Sequence, residues 1–336
     1  MNDNKRKNGQ FFTITNPFKV NAFFEWYNNI PDIENEVVLE PFAGSNNIIE
    51  MIENINVEKP KGWVSYDIEP PEENKRPEYE VIERDTIENF PKGYNVSITN
   101  PPYLAKNSAT RRGLSFPDTT HDDIYKESLE QMLNNVGYVA VIIPESFITS
   151  GLFKERLSTV ISLNVEMFDD TECPVCLALF NPEETESINI YRMDLLLGTM
   201  EDLTDELDII TKVDKELNKI WKFNDPNGDI AIKLVDDTKK DSIYFMEGDK
   251  IDPSKIKPSS RALTKVSGPD LSEKEIKELI VILNELISSY REKTQDVFMT
   301  SFKGLREDGK YRRRLDFKTS RSLLTKGLEI LKEGEN

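Results

Sequence analysis

Val96-Ser97-Ile98-Thr99-Asn100-Pro101-Pro102-Tyr103 is the stretch on which the reading of this chain turns. Its first four residues are a short apolar run, the end of a strand. Two prolines then stop it. Pro102 forces Pro101 into an extended conformation, and neither proline offers an N–H. The turn is stiff, and the Pro101 carbonyl cannot be consumed in a helix. Two acceptors, the Asn100 carboxamide oxygen and the Pro101 carbonyl, can then draw on one –NH2 group. Tyr103 adds an aromatic face. The set is a clamp for a planar, amine-bearing ring. A ring amine is a poor nucleophile because its lone pair is delocalised; two acceptors on its hydrogens favour a pyramidal nitrogen that can attack. No strong base is required, so a neutral Asn suffices. The plain alternative is a Pro-Pro loop that merely closes a strand. At average residue usage the tetrapeptide arises by chance in roughly one chain of this length in a thousand.

The sequence upstream supplies companions. Residues 37–40 read as a short buried strand, followed by the small-residue turn Pro41-Phe42-Ala43-Gly44-Ser45-Asn46-Asn47 and a helix with Ile48, Ile49, Met51 and Ile52. Such loops let backbone N–H groups approach a ligand closely. The glycine-rich dinucleotide fingerprint is incomplete, which disfavours NAD. A second strand over 63–68 carries Asp67, where an acid usually bonds ribose hydroxyls. A third near 79–82 leads to Asp85, placed to accept from an adenine amine. The fourth, 95–99, delivers the clamp. In a parallel sheet ligands bind at the carboxyl ends of the strands, so Glu40, Gly44, Asp67, Asp85 and Asn100 converge. Before these strands, Phe18 to Trp26 read as an apolar helix, with Thr15 or Asn16 as cap and Pro17 first in the helix. After them, 104–121 read as a polar loop, 122–135 as a helix and 136–144 as a core strand; 161–168 and 175–180 are β-like.

Composition bounds the answer. The chain has 336 residues, 38% of them hydrophobic, enough for one large or two ordinary domains. It holds no apolar run long enough to span a membrane, and Met1–Lys7 lacks the apolar core of a signal peptide; a cytoplasmic protein is expected. Cys173 and Cys176 form a CxxC, but there is no second Cys pair and His121 is the sole histidine. A structural zinc site thus lacks ligands, and no metal is expected. Cys176-Leu177-Ala178-Leu179-Phe180 reads as a packed strand. The single histidine also counts against a Ser-His or Cys-His hydrolase; within Asp118–Asp123 it reads as a solvated loop residue.

The texture changes near 185–195, where a domain boundary is expected. Residues 194–220 read as acidic and helical, 224–260 as short β-like pieces, and 272–290 as an amphipathic helix. The formal net charge is −18, which taken alone argues against nucleic acid. Its distribution argues otherwise: between 300 and 326 only Glu307, Asp308 and Asp316 oppose nine basic residues. Lys303, Arg306, Arg312, Arg313, Arg314, Lys318 and Arg321, with Lys106, Arg111 and Arg112 beside the clamp, are the nucleic-acid-binding candidates.

These residues resemble the γ-type adenine-N6 DNA methyltransferases, which use S-adenosylmethionine. Gly9-Gln10-Phe11-Phe12-Thr13 is similar to their motif X, Leu39-Glu40-Pro41-Phe42-Ala43-Gly44-Ser45 to motif I, Asp67 to the motif II acid and Asp85 to the motif III acid. Asn100-Pro101-Pro102-Tyr103 is similar to motif IV and Ile142-Ile143-Pro144-Glu145-Ser146-Phe147 to motif VI. The resemblance covers roughly residues 8–180. It departs where Asn46 or Asn47 replaces the later glycine of motif I, where Ile14-Thr15-Asn16 precedes Pro17, and where 171–175 lacks the usual stacking aromatic, for which Phe147 or Phe168 could substitute.

The resemblance implies an α/β fold: a doubly wound, mostly parallel, Rossmann-like methyltransferase sheet over residues 1–190, followed by an α+β DNA-recognition domain over 191–336. It implies S-adenosylmethionine held by Phe11, Phe12, Thr13, Glu40, Pro41, Phe42, Ala43, Gly44, Asp67 and Asp85, with Asn100, Pro101, Pro102 and Tyr103 catalytic. It also implies a monomer acting on double-stranded DNA, with a cognate restriction endonuclease as possible partner. The same clamp serves rRNA amine methyltransferases and protein glutamine methyltransferases, usually without a GQFFT-like segment or a tail of this length. Cytosine N4 is a further target, more often paired with Ser at the Asn100 position. A non-enzymatic nucleic-acid-binding module is disfavoured by the intact clamp.

Overall fold

The computed structural model describes residues 16–163 and 173–334. Phe11, Phe12 and Thr13, with the rest of the 9–13 motif, and Phe168, Thr171 and Glu172 lie outside the described residues. Contacts divide the chain into two units, Met1–Thr199 and Met200–Asn336.

Helix α1 (Asn21–Asn28) buries Ala22, Phe23, Trp26 and Tyr27. It begins after Val20 with no side-chain cap, not at Pro17. Asn16 is used in a turn instead: its Oδ1 accepts from the Phe18 N–H at 3.0 Å, and its Nδ2 donates to the Met51 carbonyl at 2.9 Å. That turn drops Phe18 wholly into the core. Burying a phenylalanine gains about 1.5–3 kcal/mol against roughly 1 for a cap, so packing wins.

The apolar runs become strands: β1 (Val37–Glu40), β2 (Gly62–Asp67), β3 (Val81–Glu83), β4 (Val96–Thr99), β5 (Tyr138–Pro144), β6 (Leu157–Ser162) and β7 (Val175–Phe180). Every residue of β4 and of β7 is buried, as continuous apolar runs in a two-sided sheet should be. Helices α2 (Asn47–Glu53), α3 (Lys106–Arg112) and α4 (Ile124–Asn135) lie between them in sequence. Helix α3 falls in the stretch expected to be loop; it is short and stops at Gly113, whose φ of +66° suits glycine. Two further strands, β8 (Asn189–Arg192) and β9 (Leu195–Thr199), extend the sheet, so the division falls after Thr199 and not near 190. The acidic helix expected from 194 starts later, as α5 (Met200–Thr211).

The sheet order is β3-β2-β1-β4-β5-β7-β6-β8-β9. Strands β1 to β5 pair in parallel, and β7 runs antiparallel to both neighbours. This is the doubly wound, mostly parallel, Rossmann-like methyltransferase fold expected from the sequence. The chain winds outward through β2 and β3, then returns to the other side of β1 for β4. That reversal, with Leu39 opposite Ser97, is a topological switch point.

The second unit is α+β. Strands β10 (Lys222–Phe223), β11 (Ile230–Lys233), β12 (Tyr244–Glu247) and β13 (Leu263–Ser267) form an antiparallel sheet in the order β10-β13-β11-β12. Helix α6 (Glu273–Thr294) opens with a capping box between Ser272 and Glu275. A hairpin of β14 (Thr300–Leu305) and β15 (Tyr311–Arg314) leads to α7 (Phe317–Glu333). Gly327 lets α7 approach α6: a Cβ there would meet the Leu283 side chain at 2.8 Å.

The hairpin is tied down by an acid. Asp236 is fully buried and takes a bidentate pair of bonds from Arg291, each 2.9 Å, plus the Ser242 N–H at 2.7 Å and the Arg313 N–H at 3.2 Å. Arg306 pairs with Asp241 and Asp308 and comes within 3.8 Å of Asp236. Breaking a buried pair by removing one partner costs about 3–5 kcal/mol. Asp236→Ala should therefore lower unfolding free energy in urea by about that much; a loss under about 1 kcal/mol, the range of exposed pairs, would contradict this role.

Candidate active site

A cavity of about 300 Å³ opens at the carboxyl ends of β1 to β4, at the small end of the range for ligand pockets. Glu40 ends β1, Asp67 ends β2, Asp85 follows β3, and Asn100-Pro101-Pro102 follow β4; all line it, with Phe42, Ala43 and Gly44. Pro41, though not at the wall, anchors it: its carbonyl accepts from the Thr86 hydroxyl at 2.8 Å. The loop conformation explains the missing glycine. Asn46 sits at φ +61°, the left-handed region that Asn tolerates better than most residues. Its Nδ2 donates to Asn74 Oδ1 at 3.0 Å and to the Tyr79 carbonyl at 2.8 Å, which fixes the turn.

The acids do different work. Asp67 accepts from the Gly44 and Glu69 N–H groups, each at 2.9 Å, and so holds the loop against β2. Asp85 Oδ1 accepts from the Ile87 and Glu88 N–H groups at 3.0 and 3.1 Å. Glu40 is 1% exposed, and its Oε2 has no hydrogen-bond partner. Burial, and then the charge of Asp67, push its carboxyl well above the usual carboxylate range. Four carboxylates line the cavity (Glu40, Asp67, Glu69, Asp85) and, among the described residues, no lysine or arginine does. Sequence reasoning missed the apolar walls, Ile68, Ile87 and Leu114. The signal was present in Ile68, a large apolar residue directly after the strand-end acid and 57% exposed.

The tetrapeptide divides. Asn100, Pro101 and Pro102 face the cavity; Tyr103 does not line it and is 9% exposed. The Tyr103 hydroxyl faces Asn100 Oδ1 and the Ile142 carbonyl, the latter at 2.8 Å, and its ring meets Tyr125 edge-on at 6.3 Å. Burial pushes this hydroxyl well above its ordinary value, so it stays a donor. Asp123 anchors the next residue by accepting from the Leu104 N–H at 3.0 Å, and burial raises its carboxyl to about 6. Phe147 is buried against Phe180, with ring centres 6.3 Å apart.

The basic candidates also divide. Lys106, Arg111 and Arg112 are exposed on α3. Arg306 and Arg313 are buried, Arg306 among acids and Arg313 donating to Ser301 Oγ at 2.6 Å. Arg312 lies over the Phe302 ring and donates to the Asp236 carbonyl at 2.8 Å. Arg321 lies over Phe223, Arg314 is half-buried and Lys318 is exposed. Lys303 belongs to β14, but its side chain is outside what is described. His121 is not a solvated residue: its side chain is 14% exposed and its ring lies 5.7 Å from that of Phe153. Cys176 is buried in β7.

No family model matches the chain, and no curated protein matches its sequence. Among solved structures it is similar to a type I restriction-modification methyltransferase subunit from Streptococcus thermophilus (14% identity, 55% of this chain and 47% of that one, TM-score 0.39). It is also similar to a protein assigned as the modification subunit of a type I restriction enzyme from Vibrio vulnificus (14%, 55% and 47%, TM-score 0.37). A third is the M protein of the type I restriction enzyme EcoKI (14%, 79% and 69%, TM-score 0.34). The chain spans about half the length of the first two. What the site can do follows from its own residues.

Glu40 makes a measurable demand. A carboxyl whose pKa is raised in the folded state contributes stability at low pH that is lost as pH climbs above the ordinary carboxylate range. Glu40→Gln should thus melt at a higher temperature than the parent at neutral pH, with the gap shrinking toward pH 4. A gap that is absent, or that widens on acidification, would contradict the placement of Glu40.

Proposed function

We propose that this chain is an S-adenosylmethionine-dependent DNA methyltransferase acting on the N6 amine of adenine. The observation that carries the reading is an acid-lined cavity at the switch point that, among the described residues, holds no lysine or arginine and ends at the Asn100-Pro101-Pro102 turn. Four acids and, among the described residues, no lysine or arginine disfavour a phosphate-bearing cofactor and favour a cationic one with hydroxyls and a ring amine. S-adenosylmethionine supplies, when bound, a methyl group on a cationic sulfur.

The chain's residues then take these parts. Glu40, with its unpartnered buried oxygen, faces the cationic end. Asp67 accepts from the ribose hydroxyls and Asp85 from the ring amine, between the walls of Ile68 and Ile87. Phe11, Phe12 and Thr13, outside the described residues, are assigned to the cofactor by the resemblance of 9–13 to motif X alone. Asn100 Oδ1 and the Pro101 carbonyl draw on the two hydrogens of the target amine and leave its lone pair free to attack. Tyr103 holds the Asn100 amide by its hydroxyl in the free protein; to stack on the base, a contact worth about 1–3 kcal/mol, it gives up that bond and turns outward. The target adenine leaves the duplex at a cost of a few kcal/mol. Positioning and electrostatics supply the catalysis, without a strong base.

For DNA, the exposed cations Lys106, Arg111, Arg112 and Lys318, with Arg314 and Arg321, contact the duplex. Residues of the second unit read the sequence. Arg306 and Arg313 support the fold instead. On this reading the protein acts in the cytoplasm as a monomer, within a restriction-modification system in which a cognate endonuclease acting on the same site is a possible partner.

The test is to incubate the protein with labelled S-adenosylmethionine and, separately, plasmid DNA, rRNA and a release factor. Label in DNA alone supports the reading; label in rRNA or in a glutamine of the factor moves the clamp to those substrates. Asn100→Ala should lower turnover on the order of 10²-fold, the effect of removing one preorganised transition-state contact, with cofactor affinity little changed. Survival of turnover within a few-fold would remove Asn100 from catalysis.

The two kinds of basic residue separate by measurement. Lys318→Ala should flatten the salt dependence of DNA binding by about 0.9 in log–log slope, one phosphate's worth, at unchanged melting temperature. Arg313→Ala should lower the melting temperature. The reverse pattern would overturn the division.

A further inference from the structure

We infer a divalent metal site formed by His121, Glu127 and Glu130, at the foot of the segment that leaves the tetrapeptide. Glu127 and Glu130 sit one turn apart on α4 and share a face; His121 comes from the loop just before it. One ligand atom from each lies within 4.8 Å of the others. His121 Nε2 is 3.5 Å from Glu130 Oε2 and, though buried, makes no hydrogen bond. An ion with bonds of about 2.1 Å in tetrahedral geometry holds its nitrogen and oxygen ligands about 3.4 Å apart, so this pair already stands at ligand spacing.

Glu127 is held from outside as ligating carboxylates are. The Thr119 hydroxyl donates to its Oε2 and Gln131 Nε2 to its Oε1 at 2.9 Å. Thr119 Oγ1 also accepts from the His121 N–H at 3.1 Å, which ties the loop to the helix. One imidazole with two carboxylates suits Zn²⁺ or Mn²⁺. Glu130 is 46% exposed, which leaves the remaining positions to water. The two residues after His121 hold the chain leaving the clamp: the Asp122 carbonyl accepts from the Lys106 N–H at 2.8 Å, and Asp123 accepts from Leu104. A bound ion therefore fixes the loop that contributes Leu114 and Ser115 to the cavity wall. Its role is structural.

The experiment titrates the chelator-stripped full chain with Zn²⁺ alone, and Mn²⁺ alone, by calorimetry, and follows the melting temperature. One saturable equivalent and a higher melting temperature are expected. His121→Ala and Glu130→Gln should each weaken binding about tenfold or more, and Cys173→Ala should leave it intact. Glu130→Gln, near-isosteric and partly exposed, keeps the test decisive if His121→Ala misfolds. No saturable uptake overturns the site. So does uptake that survives Glu130→Gln, or that is lost in Cys173→Ala, since the CxxC would then be the ligand.

Discussion

The parallel pairing of β1 with β4, Leu39 beside Ser97, is the constraint on which the candidate site depends. The chain leaves these neighbouring strands in opposite directions, so no connection covers the crevice between their carboxyl ends. Glu40 is the last residue of β1 and the Asn100 turn begins directly after β4. The register therefore brings a buried acid and the Asn100-Pro101-Pro102 turn to one cavity. The sheet holds Glu40 there at a cost in stability, because its carboxyl is buried beside Asp67. A strongly perturbed acid in a cleft is a candidate functional position.

The loops are built to keep the cavity open. Asp67 spends one oxygen on the Gly44 N–H and the other on the Glu69 N–H. Asn46 accepts a left-handed backbone and anchors its amide to Asn74 and Tyr79. Pro101 and Pro102 cannot continue the strand or start a helix. Tyr103 is turned inward, its hydroxyl on the Asn100 amide oxygen and the Ile142 carbonyl. One phenolic proton serves one acceptor at a time, so it is divided between these two oxygens.

Much of this was legible in the sequence, where a strong local signal coincided with the tertiary outcome. The continuous apolar runs at 138–144 and 175–180 can only be two-sided buried strands, and they are. The strand-end acids Glu40, Asp67 and Asp85 and the acceptor Asn100 line one cavity as expected. What was not legible depended on distant partners. Strand β9 carries Leu195 and Leu196, 60% and 52% exposed, and shows no alternation to betray an edge strand. The run Arg312-Arg313-Arg314 reads as a basic surface, yet a hairpin sends Arg313 inward, because Asp236, distant in sequence, gathers that segment. His121 looked solvated within a polar run; its burial comes from Phe153 and α4, which no local pattern encodes.

The central claim is that the double acceptor at the switch point activates an adenine amine. The most direct measurement is the nucleoside composition of plasmid DNA after incubation with the protein and S-adenosylmethionine, read by mass spectrometry of the enzymatic digest. N6-methyldeoxyadenosine is expected, and its loss in the Asn100→Ala protein. Methylated cytosine in its place, or unmodified DNA from a folded protein that binds the cofactor, would contradict it.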